Sequence, residues 1–197
     1  MRARAVAIAV AYALLASASA GLAMLFRDGH PLTHPRPWVT LDAPISWGAS
    51  ALLGTAFAAI VIASTRVLVT RFVWAGRLHD ELRPFARNLT GSHIVLVAVL
   101  SSVGEELFFR SLLTPWLGVI ASSVLFGVVH QMRGPSRWWW AAWAGMVGLG
   151  LGSIFAFTGS LVGPILAHAL VNGLNLQFLR VADPPRRAPL GGLFRAS

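Results

Sequence analysis

The chain has 197 residues, of which 56% are hydrophobic and 12% charged, with a mean hydropathy of +0.68. So few charges cannot coat a globular surface, which excludes an ordinary soluble domain and points to a polytopic membrane protein. The absence of cysteine excludes disulfides, thiolate nucleophiles and Cys-based metal sites. The net charge of +9 comes from sixteen arginines, lying mostly between apolar runs, while the aromatics sit in apolar spans rather than in a basic groove, which argues against nucleic-acid binding.

Six apolar segments meet the requirement of about 20 residues per crossing, at about 4–26, 44–65, 91–114, 116–133, 138–157 and 160–180. The first begins after Arg2 and Arg4 and passes through Ala16-Ser17-Ala18-Ser19-Ala20, a small-residue run that a signal peptide would also show. Its apolar stretch continues from Leu22 to Phe26, which favours a retained span. Trp38 and Trp47 flank the second span, and Trp138-Trp139-Trp140 heads the fifth, as interfacial aromatics do. Between the second and third spans, residues 66–90 mix Arg, His, Asp and Glu with Leu, Val, Phe and Trp, the pattern of an interfacial amphipathic helix. The expected organisation is N-terminal spans and interfacial helix over 1–90, a core over 91–180, and a mobile Pro-, Arg- and Gly-rich tail over 181–197.

Arginine placement sets the expected orientation. Arg2, Arg4, Arg66, Arg71, Arg77, Arg83, Arg87, Arg133, Arg137, Arg180, Arg186, Arg187 and Arg195 fall on one side of a six-span arrangement. Only Arg27 and Arg36 fall on the other, near Asp28 and Asp42. Thirteen against two predicts a plasma-membrane protein with both termini cytoplasmic.

Inside the spans, a few polar groups stand out. Glu105 and Glu106 are adjacent, with Arg110 four residues on; Glu81 is the one other Glu in the chain. A charge at the bilayer centre costs at least about 2.5–3.5 kcal/mol, so such residues mark functional sites by default. His130 ends the fourth apolar run, and His168 and Asn172 share a helix face in the sixth, as Glu106 and Arg110 do in the third. At about 1.5 Å per residue, Glu105, His130, His168 and Asn172 all fall within a band near the midplane, although their spans run in alternating directions. The expected fold is therefore all-α, about six transmembrane helices enclosing a polar midplane pocket.

A carboxylate and a neutral imidazole can share the deprotonation of a water, and Asn and His can donate to a developing oxyanion, so this set suits amide hydrolysis. Plainer readings exist for each part. Glu106–Arg110 alone could be a structural ion pair, His168 and Asn172 interhelical hydrogen bonds, and His130 an interfacial residue. A metal site is disfavoured because the two-His helical spacing of zinc helices is missing and Arg110 would repel the ion; no metal or cofactor is expected. Gly148 and Gly152, with Ala144 and Ala156, form a small-residue stripe whose expected role is helix packing.

Three segments together resemble the CPBP family, the membrane-embedded CAAX prenyl endopeptidases and bacteriocin-processing or Abi proteins. They are Glu105-Glu106-x-x-x-Arg110, Phe126-x-x-x-His130 and His168-x-x-x-Asn172, with similar flanks at 105–110, 122–127 and 158–161. The resemblance covers roughly residues 90–180. It implies an intramembrane endopeptidase of the glutamate type. In that case Glu105 and His130 activate the water, Glu106 and Arg110 orient the site, and His168 and Asn172 stabilise the oxyanion. Ser111 departs from the Gly common in the family after the Arg, without removing a chemical group. The implied partners are a peptide or membrane-protein substrate and the lipid bilayer. The competing readings are a non-catalytic immunity or partner-binding membrane protein of the same family, a metal-dependent membrane hydrolase, and a transporter using the buried acids as a proton relay.

Overall fold

The computed structural model describes residues 2–27 and 30–184, without the side chains of residues 2–6. The expected tail beyond residue 184, with Arg186, Arg187 and Arg195, lies outside the described residues, as does Asp28. The described chain is all-helical apart from its loops and one isolated bridge between Thr33 and Ser160. The helices are α1 (Arg2–Arg27), α2 (Ala43–Arg71), α3 (Val73–Arg87), α4 (Gly91–Glu106), a π-helical segment (Leu107–Leu113), α5 (Thr114–Val129), α6 (Arg137–Thr158) and α7 (Val162–Val181).

Among the described residues, five stretches are long and apolar enough to cross a membrane, the third running from Gly91 to Val129. That third stretch doubles back on itself. Gly118 has φ 79° and ψ 168°, a left-handed conformation that favours glycine, and it interrupts the helix there. A straight helix would hold Phe109 and Phe126 about 25 Å apart. Their ring centroids are instead 4.9 Å apart, and the Thr114 and Ser122 hydroxyls are 2.9 Å apart. The protein is thus a multi-pass membrane protein, with six helical legs among the described residues, as expected. The fourth leg is shorter than the predicted 116–133: the turn removes its start, and its helix ends at Val129.

The interfacial helix also differs from its predicted bounds of 66–90. Residues 66–71 extend α2, because Val67, Leu68 and Val69 continue its apolar run. Phe72 (φ −122°, ψ 131°) then breaks the helix, and α3 starts afresh at Val73. α3 buries Ala75, Leu78, His79 and Ala86 against the bundle. Trp74 stacks on Trp139 with centroids 4.6 Å apart, and the Ser136 hydroxyl donates to Glu81 at 2.7 Å. Arg83 pairs with Asp183, and Arg180 donates to the Leu89 carbonyl at 3.3 Å. These contacts gather the arginine-rich helix ends at one end of the bundle.

At the opposite end, the loop before α2 is sewn to the α6–α7 turn. His34 N donates to Gly159 O (2.9 Å), Trp38 N to Ala156 O (2.7 Å) and Leu161 N to Leu32 O (2.9 Å). The central seam is α2 on α7. Ser50 Oγ donates to Ser160 O and accepts from Gly163 N, both at 2.9 Å. A Cβ on Gly163 would lie 2.1 Å from Ser50 O, so the two backbones touch and a side chain is excluded there. Below that contact, Ala58, Val61, Val147, Leu151, Ala167 and Val171 form an apolar core between α2, α6 and α7. The small-residue stripe of α6 is buried throughout and packs on α5, with a Cβ on Gly152 falling 3.0 Å from Val119.

Candidate active site

On α4, Ile94, Ala98, Ser101, Ser102 and Glu105 are buried at three- and four-residue spacing. They form one helix face turned inward, so the acid arrives at the bundle interior on an apolar and hydroxyl-bearing stripe. The chain passes straight from Glu106 into the π segment, where the Thr114 amide reaches five residues back to Phe109 O. Single π turns within α-helices recur at functional sites. Here the wider turn still leaves Arg110 over Glu106, with Nη1 3.1 Å from Oε1.

The six predicted residues come together. Glu105 Oε2 lies 3.4 Å from His130 Nε2 and 3.8 Å from His168 Nε2. His168 Nδ1–H donates to Glu106 Oε1 at 2.7 Å, so one imidazole links the two glutamates. Asn172 Nδ2 donates to Ser101 Oγ at 3.1 Å, one turn beyond His168. Glu106 is wholly buried and Arg110 is 1% exposed, whereas Glu105 is 9% exposed and borders an open cavity. Glu106 therefore belongs to the interior and Glu105 to the accessible side.

Local geometry sets the protonation pattern of the imidazoles. At the end of α5 the His130 amide turns to Gly127 O (3.2 Å), which leaves the Phe126 carbonyl outside the α-helical ladder. His130 Nδ1–H donates to that carbonyl at 2.7 Å. The neutral ring then presents the Nε2 lone pair to Glu105. Phe126 packs against three members of the site. Its ring lies 4.2 Å from the His130 centroid, 5.8 Å from that of His168, and 4.3 Å from the Arg110 guanidinium carbon. A cation over an aromatic face in this way is stabilised further. Arg110 Nη2 also donates to Gly148 O at 3.1 Å, and a Cβ on Gly148 would sit 3.1 Å from that nitrogen. One glycine of the α6 stripe thus makes room for the arginine as well as for packing.

Two contributors went unmarked in the sequence reading. Tyr12 on α1 donates its hydroxyl to Glu105 Oε1 at 3.0 Å, and Ser101 accepts from Asn172. The available signals were slight: Tyr12 is the chain's one tyrosine, and Ser101 lies four residues before Glu105. Beside the polar centre is a cavity of about 350 Å³, lined otherwise mostly by apolar groups such as Leu78, Phe85, Trp140, Trp143, Leu176 and Phe178, with Thr65, His79 and Asn175 among them. Among the described residues, no group of three His, Asp or Glu side chains is arranged to hold a metal ion.

Comparison with known proteins bears on the same stretch. The chain is 26% identical over 165 residues to the protein YpbD of Bacillus subtilis (strain 168), covering 82% of this chain and 81% of that one. It is 28% identical over 123 residues to CAAX prenyl protease 2 of Rattus norvegicus, covering 55% of this chain and 36% of the rat protein. The chain thus spans about a third of the rat protein's length. No solved structure matches it. Residues 88–174 match the family model for type II CAAX prenyl endopeptidases, Rce1-like. The matched stretch contains all six converging side chains.

Proposed function

We propose that this protein is a membrane-embedded endopeptidase that hydrolyses a peptide bond with a water activated between Glu105 and His130. The observation that carries the reading is the pairing of Glu105 Oε2 with His130 Nε2 at 3.4 Å, at the edge of the apolar cavity. Both are acceptors when Glu105 is ionised and His130 is neutral with its proton on Nδ1, so only a shared proton or a water satisfies both. A water placed there loses a proton to this pair as its oxygen attacks the peptide carbonyl. The proton then passes to the leaving amine as the C–N bond breaks.

The oxyanion that forms in between needs donors. Asn172 has a second amide hydrogen beyond the one given to Ser101. His168, whose Nδ1–H is held by Glu106, can donate from Nε2 when doubly protonated, and the Glu106 carboxylate 2.7 Å away balances that charge. Removing one such donor typically costs about 10²–10³ in rate. Arg110 pairs with Glu106 at 3.1 Å and holds it in place, so Glu106 and Arg110 orient rather than react. The apolar lining suits a hydrophobic peptide segment, and the similarity to CAAX prenyl protease 2 makes a prenylated C-terminal peptide the first substrate to test. The arginine distribution supports cytoplasmic termini, which puts the arginine-rich end of the bundle, with α3, on the cytoplasmic side.

The test uses purified protein in detergent with an internally quenched peptide ending in Cys-aliphatic-aliphatic-X, farnesylated and unmodified. Glu105→Gln keeps the shape and removes the base, so cleavage should fall at least about 10³-fold while the protein still folds. A Glu105→Gln protein that cleaves as fast as wild type removes the mechanism.

A further inference from the structure

α1 lies outside the stretch that matches the family, yet it reaches the reacting carboxylate. Tyr12 lines the cavity and donates to Glu105 Oε1 at 3.0 Å. The other oxygen, Oε2, is the one 3.4 Å from His130 and 3.8 Å from His168. The two oxygens of one carboxylate therefore have different partners, and the phenol separates them. A carboxyl group rotates easily about its terminal torsion, where the rotamer wells are broad. A donor on one side pins that rotation. The phenol is itself held, because α1 crosses α4 at close range: a Cβ on Gly104 would lie 3.1 Å from Tyr12 O and 3.3 Å from Cδ1 of its ring.

We propose that Tyr12 is a positioning residue, whose hydroxyl fixes Glu105 Oε1 so that Oε2 alone is turned to the two imidazoles. This rests on the peptidase reading above and adds a contributor from the N-terminal helix. Tyr12 touches neither imidazole; it acts through Glu105. A hydrogen bond to a charged acceptor of this kind is worth about a 10- to 100-fold change in equilibrium or rate when deleted.

The test is Tyr12→Phe, which keeps the ring against Gly104 and removes the hydroxyl. On the quenched peptide, kcat should fall about 10- to 100-fold with KM unchanged, since the apolar cavity that binds the peptide is intact. A second readout does not depend on turnover. Tyr12 is the chain's one tyrosine, so protein labelled with 13C at tyrosine Cζ gives a single phenol resonance. That resonance should move in Glu105→Gln, where a neutral amide replaces the charged acceptor. Gly104→Ala should move it too and lower kcat, because the new Cβ pushes α1 away while every polar group remains. Wild-type kcat in Tyr12→Phe beside an inert Glu105→Gln, or a resonance identical in wild type and Glu105→Gln, overturns the role of Tyr12. Full cleavage by Glu105→Gln overturns the peptidase reading instead.

Discussion

The most demanding prediction concerns the ion pair that holds the site from behind. Glu106 and Arg110 are 0% and 1% exposed and 3.1 Å apart, so neither charge can turn to water when its partner is removed. Glu106→Gln leaves the guanidinium buried without its paired carboxylate, and Arg110→Met leaves that carboxylate buried without its paired cation. Each should cost about 3–5 kcal/mol of stability. The double variant removes both charges and should cost much less than the sum. It still loses the Arg110 hydrogen bond to Gly148 O and the guanidinium contact with Phe126, about 1 kcal/mol each. Its net cost is then about 2 kcal/mol, and the coupling between the two sites exceeds about 3 kcal/mol. The assay is a reversible SDS titration of the four proteins in mixed micelles, followed by the fluorescence of the eight tryptophans. Additive single costs would refute the reasoning, because they would mean that each charge finds solvent without the other.

Three further outcomes follow from close contacts and from one titrating loop residue. Gly163→Ala puts a Cβ 2.1 Å from Ser50 O, and Gly54→Ala puts one 2.3 Å from Gly163 O; each should cost at least about 1–3 kcal/mol and reduce the monodisperse fraction on size exclusion. Gly48→Ala, with nothing within 4 Å, should behave as wild type on the same column. Gly148→Ala crowds Arg110 Nη2 and Phe126, each 3.1 Å from the new Cβ, and should cut kcat about tenfold in a protein that elutes normally. His34, in the loop before α2, packs edge-on to Phe155, and burial, then the charge of Arg27, holds its pKa below the usual 6.5. The unfolded chain therefore binds more protons here, so the stability due to His34 is complete above pH 6.5 and declines as pH falls through the window beneath it. SDS titrations at neutral and mildly acidic pH should show that decline in wild type and a smaller one in His34→Phe.

What could be read from the sequence was whatever local spacing determines. Glu106 and Arg110 four apart, His168 and Asn172 four apart, and apolar runs of bilayer length are enough to place the legs and most of the polar centre. Long-range pairing was another matter. Nothing around Tyr12 indicates that α1 crosses α4 beside Glu105, because that crossing depends on Gly104 meeting a backbone carbonyl 92 positions earlier. The break at Phe72 was invisible because the apolar character of the chain continues across it, and extended backbone is open to any residue. Gly118 was one of nineteen glycines, and its left-handed turn shows only in the backbone. The role of Asn172 is likewise shared with Ser101, a hydroxyl with no motif of its own.

The π-helical segment Leu107–Leu113 bears on how this protein can change over generations. It stands between Glu105–Glu106 and the turn that leads to His130, and it holds one more residue per turn than its neighbours. Losing that extra residue would restore ordinary helix with the downstream direction nearly unchanged, because the wider turn is what absorbs it, whereas losing one residue from the α-helix on either side would swing everything downstream by about 100°, since an α-helix has 3.6 residues per turn. His130 and Phe126 would then face away from both glutamates with every motif letter still present. Substitutions at positions of the segment other than Arg110 keep this register, whereas a one-residue deletion in the neighbouring α-helix loses it. A lineage that undergoes such a slip would keep the signature and not the geometry.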